Sequence, residues 1–158
     1  MRHLILIMIY YTTLSGYLPE KAPEWVLQNT KGENVALYDL KGKVVIIDFW
    51  AIWCTTCKPE LIELSELQTE LQQNDFTVVG IGVDSGDIDF LAKFKALLGL
   101  NFQLLSGNRR IVKRILRDYG NIRRIPSMII IDKEGKIVHR ITGFKHREEL
   151  KDLIKPLL

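Results

Sequence analysis

The residue pattern predicts a single three-layer α/β domain with a mixed, mostly parallel central sheet and an N-terminal β-hairpin extension. Three observations predict it. The run Val44-Val45-Ile46-Ile47-Asp48-Phe49-Trp50 is apolar almost throughout, as a strand covered on both faces must be. Strand-like and helix-like segments alternate after it, and such alternation joins parallel neighbours through crossover helices. The chain has 158 residues, 47% of them hydrophobic and 26% charged, which suits one domain with one core.

Each element follows from its local pattern. Lys31-Gly32-Glu33-Asn34 reads as the turn of a small hairpin between Glu24–Asn29 and Val35–Tyr38. Lys41-Gly42-Lys43 is a second turn leading into the apolar strand. Leu61, Leu64, Leu67 and Leu71 recur at spacings of three and four, with polar residues between them, and predict an amphipathic helix. Pro59 falls in its first turn, where a missing N–H costs least. Phe76–Val83 is the next strand. Ile88–Leu98 is a helix capped by Asp87 or Ser85, and Phe102–Leu105 a short extended piece. Arg109–Tyr119 is a basic helix stopped by Gly120. Ser127–Asp132 and Lys136–Thr142 form a hairpin, and Arg147–Leu157 closes the chain as an amphipathic helix.

The N-terminus reads separately. Arg2 precedes the apolar run Leu4–Tyr11, followed by small and polar residues to Gly16. A short positive region before an apolar core of this length reads as an export signal, and it is short for a membrane span. The organisation expected is therefore a signal or membrane-targeting segment over 1–18 and one domain over 19–158. The expected location is extracytoplasmic, periplasmic or membrane-associated. The alternative is an N-terminal strand on a cytoplasmic protein.

The charge is unevenly spread. Arg109, Arg110, Lys113, Arg114, Arg117, Arg123 and Arg124 are offset only by Asp118, in a chain whose total is +3. This segment is either a solvated helix face or a docking patch for an acidic partner or anionic lipid. Without aromatic interleaving or a recognition motif, nucleic acid is not an expected partner.

Cys54 and Cys57 are the only two cysteines. They sit three apart behind the apolar strand. With a helix starting at Cys54, its free N–H groups and dipole favour a thiolate there. Cys57 lies one turn on, able to close a disulfide. Zinc is not expected: His3, His139 and His146 are scattered, and a second ligand pair is missing.

The box Phe49-Trp50-Ala51-Ile52-Trp53-Cys54-Thr55-Thr56-Cys57-Lys58-Pro59-Glu60 resembles the thioredoxin superfamily and, within it, the TlpA/ResA-like thiol-disulfide oxidoreductases. Four further segments strengthen the likeness: Ala22-Pro23-Glu24-Trp25, Val35–Lys43, Ile125-Pro126-Ser127 with the strand after it, and Gly143-Phe144. It covers roughly residues 19–158 and implies a thioredoxin-like fold. It also implies Cys54 as an exposed attacking thiolate, Cys57 as the buried resolving thiol, and a cis Pro126. In this reading the Pro126 loop faces the disulfide, the Ile125 backbone pairs with an extended substrate, and Trp53 shields the disulfide, although Trp53 also reads as a simple packed aromatic.

Asp48 matches the superfamily's buried carboxylate, a proton acceptor for Cys57; the other reading is an edge or salt-bridged aspartate. Glu60 matches a carboxylate three residues after the second cysteine, suited to tuning the thiols. A solvated first-turn glutamate is the alternative. Two departures stand out. The strand after the helix, Val78-Val79-Gly80-Ile81, lacks the lysine that usually opposes the aspartate, so Asp48 is either strongly perturbed or paired with Lys58. Arg124 stands just ahead of Ile125-Pro126, where the family commonly has a small residue, and with Arg123 biases partner choice toward acidic stretches.

The function expected is dithiol-disulfide exchange by a monomer, reducing disulfides in exported clients such as apocytochrome c, with electrons from a membrane thiol carrier. No cofactor or metal is expected, because the chemistry resides in the cysteine pair. Three alternatives fit less well. A peroxiredoxin-like peroxidase needs Thr or Ser three residues before its cysteine, where this chain has Ala51 or Cys54. A Sco-type copper binder needs wider cysteine spacing, with His139 or His146 standing in as third ligand. A cytosolic thioredoxin served by an NADPH-linked reductase does not account for the long lead-in.

Overall fold

A computed structural model describes residues 20–84 and 87–158. The expected targeting segment over 1–18 and the Ser85 cap lie outside the described residues. The strands are β1 (Val26–Asn29), β2 (Asn34–Ala36), β3 (Val44–Trp50), β4 (Phe76–Gly82), β5 (Gln103–Ser106), β6 (Ser127–Ile131) and β7 (Ile137–Thr142). The helices are α1 (Cys57–Leu71), α2 (Ile88–Leu97), α3 (Arg109–Asp118) and α4 (Arg147–Ile154), with short 3-10 turns at Leu37–Leu40 and Lys155–Leu157.

The three-layer α/β expectation holds, with two corrections. The seven strands form one sheet in the order β2-β1-β5-β4-β3-β6-β7. The leading hairpin is no appendage: β1 pairs antiparallel with β5 and becomes part of the sheet. Only β3·β4 and β4·β5 are parallel, so the sheet is mixed rather than mostly parallel. β6 runs antiparallel to β3, because the chain leaving α3 turns back through Ile125-Pro126 at the same end of the sheet where β3 stops.

β3 is buried along its whole length and feeds both faces. Val44, Ile46 and Trp50 point to the face covered by α1, α2 and α4, where Leu61, Leu64, Leu67, Phe94, Leu150 and Ile154 pack. Val45, Ile47 and Phe49 point the other way, toward Ile115 of α3, Tyr119 just past its end, and Trp25 and Leu27 near the start of the described chain. Local signals set the helix limits. Asp87 caps α2 through Asp89 N–H, Asn108 caps α3 through Ile111 N–H at 3.0 Å, and Gly120 ends α3 in the left-handed region at φ 106°.

Candidate active site

β3 ends at Trp50, and the chain turns sharply before the next helix. Val83 N–H donates to Trp50 C=O at 2.8 Å, and Cys54 N–H to Ala51 C=O at 3.1 Å, fixing the turn. The helix starts at Cys57, not at Cys54 as expected. Thr55 and Thr56 remain in the turn, where β-branched residues lose less freedom than in a helix. The electrostatic consequence survives the correction, since Cys57 N–H donates to Cys54 Sγ at 3.2 Å and Thr56 Oγ1 lies 3.6 Å from that sulfur.

Cys54 and Cys57 form a disulfide with Cα atoms 5.3 Å apart. Cys57 has no exposed surface and Cys54 only 6%. The exposed attacking sulfur expected is thus a narrow edge, drawn inward by its bond to a buried partner. Trp53 is the opposite of a packed aromatic: 69% of it is exposed beside the disulfide.

Behind the cysteines lie two carboxyls. Asp48 projects from β3 to the α1 face, and Glu60 lies one turn along α1 from Cys57, on the same side of that helix. Both are fully buried, which removes the edge reading of Asp48 and the solvated reading of Glu60. Glu60 Oε1 accepts the backbone N–H of Lys145 at 2.9 Å. Glu60 Oε2 and both oxygens of Asp48 have no donor among the described groups. Lys58 is exposed and does not pair with Asp48. β4 sets Gly80 opposite Asp48, and a Cβ there would lie 2.8 Å from Leu104 Cδ2, so no lysine fits.

The two carboxyls therefore have chiefly each other. Burial raises the Asp48 carboxyl well above the ordinary range, and the charge of Glu60 pushes the same way. Burial pushes Glu60 up to about 7, against the Lys145 N–H and Asp48, which stabilise its anion. Such a pair titrates as a unit. A proton held on Asp48 and donated toward Glu60 relieves both the repulsion and the missing donor.

The Ile125-Pro126 peptide is cis. Pro126 C=O accepts Gly143 N–H at 2.9 Å, and Ser127 Oγ donates to Arg124 C=O at 2.8 Å, anchoring the loop on both sides. Ser127 pairs with Phe49, which sets the loop at the end of β3 that leads to the cysteines. Ile125 is half-buried, and Arg123 and Arg124 are exposed. Arg124 does not join the carboxyl pair. It lines a cleft of about 270 Å3 together with Arg123 and Arg140.

Two contributors escape the sequence reading. Lys145 acts through its backbone, and the one signal near it is Gly143-Phe144. Arg140 alternates along β7 like any surface residue, and only the fold brings it to Arg123.

The comparisons with known proteins agree with this geometry. Residues 18–140 match the AhpC/TSA family. The thiol-disulfide oxidoreductase ResA of Bacillus subtilis (strain 168) is 31% identical over 138 residues, covering 85% of this chain and 74% of that protein. The crystal structure of a thiol:disulfide interchange protein DsbE from Chlorobium tepidum, itself assigned provisionally, shares 28% identity. Its TM-score is 0.77, over 88% of this chain and 96% of that one. The pneumococcal exposed lipoprotein thioredoxin of Streptococcus pneumoniae strain TIGR4 shares 29% identity at a TM-score of 0.74, covering 85% and 100% of the two chains. The chain belongs to the AhpC/TSA family and is a ResA-type thiol-disulfide oxidoreductase of the thioredoxin superfamily.

Proposed function

We propose that this oxidoreductase works as a reductant of disulfides in exported proteins, apocytochrome c among them, and that the buried carboxyl pair behind Cys57 serves its proton transfers. In this reading Cys54 thiolate attacks one sulfur of the client disulfide. The S–S bond breaks, a Cys54–client mixed disulfide forms, and the departing client sulfur takes a proton from solvent. Cys57 then gives its proton to the Asp48–Glu60 pair and attacks Cys54 Sγ, breaking the mixed disulfide and releasing the second client sulfur, which takes a proton from solvent. Two electrons pass to the client, and the Cys54–Cys57 disulfide remains. A membrane thiol carrier returns the pair to the dithiol. The protein acts as a monomer and uses no cofactor or metal, since the electrons reside in the two sulfurs.

The observation that carries the direction is the absence of any cation beside Asp48 and Glu60 among the described residues. A carboxylate behind Cys57 disfavours negative charge on that sulfur and makes the couple give up electrons more readily, and it opposes the Cys57 N–H and Thr56 hydroxyl that favour a thiolate on Cys54. Trp53 offers an exposed apolar face to the client, and the Ile125-Pro126 loop, with Arg124 beside it, receives the client backbone. The extracytoplasmic setting draws support from the run Leu4–Tyr11 after Arg2, and from the relative described as an exposed lipoprotein. The test is the equilibrium potential of the cysteine pair against glutathione and dithiothreitol, with Cys54→Ala as the inactive control. A value near the thioredoxin end, about −270 mV, is expected, and one near about −120 mV overturns the direction.

A further inference from the structure

The cleft beside the cis-proline loop has a composition that the exchange chemistry does not require. Arg123 and Arg124 come from the loop after α3, and Arg140 from β7. Arg140 pairs with Ile129 across the β6·β7 ladder, so its side chain leans over the same face as Ile129. Its guanidinium stem also crosses Gly120 closely: a Cβ there would lie 3.4 Å from Arg140 Nε. Arg123 and Arg124 have no acidic partner among the described residues. Arg140 has one, Glu20, whose Oε2 accepts from it at 2.9 Å. The chain thus already sets a carboxylate on this cluster. The walls include Ile122, Ile129 and Ile141.

We propose that this cleft is a subsite for acidic side chains flanking the client's disulfide, and that Glu20 occupies its Arg140 arm until a client displaces it. The inference rests on the reading of the Ile125-Pro126 loop as client-facing. Arg124 and Ser127 flank that dipeptide directly, so a client strand lying along the loop passes the mouth of the cleft. Guanidinium forks match carboxylates in paired hydrogen bonds. The isoleucine walls suit the methylene stem of a glutamate, which an inorganic anion lacks. The cleft's one aromatic, Tyr119, is buried, so the lining offers no exposed platform on which a nucleotide base would stack.

The test uses the reduced full-length protein and two peptides, each with one intramolecular Cys-X-X-Cys disulfide, flanked in one by two glutamates and in the other by two glutamines. At low ionic strength kcat/KM should favour the glutamate peptide about threefold to tenfold, as expected for two exposed ion pairs. The preference should fall toward one in 0.5 M salt. R123Q/R140Q, two cleft positions outside the loop that receives the client backbone, should bring the preference toward one and leave the glutamine peptide unchanged. E20Q should raise kcat/KM for the glutamate peptide alone, and an unchanged value refutes occupancy by Glu20. Equal rates for the two peptides overturn the acidic subsite while leaving disulfide exchange intact. A protein that reduces neither peptide fails in the underlying reading, and the subsite falls with it.

Discussion

Replacing Glu60 by glutamine, a side chain of nearly the same size, should make the oxidised protein more stable at neutral and alkaline pH, an unusual result for deleting a buried ionisable group. Glutamine keeps an oxygen to accept Lys145 N–H and adds an amide donor toward Asp48, whose oxygens lack one. The sign follows from linkage. A carboxyl whose value is raised on folding keeps a proton that the unfolded chain has already released. Its stabilisation is complete below the unfolded value and is lost as pH rises through the folded one. For Glu60 that window runs from 4.5 to about 7. Forcing it to ionise in the folded protein costs about 3 kcal/mol across this window, and Asp48, also raised, adds in the same direction. Glu148 and Glu149, hydrogen-bonded to Lys151 and Lys145, are held below 4.5, so their contributions fade at pH values under this window. The assay is urea unfolding of wild type and E60Q from pH 4 to 9, followed by tryptophan fluorescence. The stability difference should grow in favour of the variant between pH 4.5 and 7 and then level off. A difference that stays constant across that range refutes the raised, proton-sharing pair.

Three further outcomes follow from the packing. Gly80→Ala sets a methyl 2.8 Å from Leu104 Cδ2 and 3.1 Å from Trp50 Nε1, and should cost about 1–3 kcal/mol of unfolding free energy in urea. Tyr119→Phe removes a hydroxyl that accepts from Trp25 Nε1 at 3.1 Å and donates to Pro23 C=O at 2.7 Å. With the Trp25 N–H left unpaired in the core, thermal unfolding should report a loss of about 1–3 kcal/mol. Trp53→Ala, at an exposed position, should change stability by no more than about 0.5 kcal/mol. It should slow exchange with a protein disulfide and leave reaction with dithiothreitol unchanged, and equal slowing of both would remove Trp53 from client binding.

The parts legible in the sequence were those encoded locally. The Cys-X-X-Cys box, the apolar β3 run and the Ile125-Pro126-Ser127 loop carry their own signatures, and Asp48 is conspicuous because its neighbours in sequence are all apolar. Glu60 was ambiguous for a physical reason. A first-turn glutamate is ordinarily solvated, and its burial here depends on Lys145, 85 residues away. Strand direction was also hidden, since an apolar run reads the same parallel or antiparallel. That is why β6 beside β3, and β1 beside β5, emerged only from the fold. Helix periodicity likewise does not reveal that two threonines stay in the turn and delay α1 to Cys57.

The sheet itself divides the molecule's tasks. Asp48 lies on the face covered by α1, whereas Ser127 and Ile129, in the floor of the arginine cleft, point to the face covered by α3. A change in the loop spanning 120–124 alters the charge offered to a partner without touching a side chain packed around the carboxyl pair. The chain can therefore be retargeted by surface substitution while its proton chemistry stays as it is. A family of such proteins can diversify its clients around one unchanged redox centre.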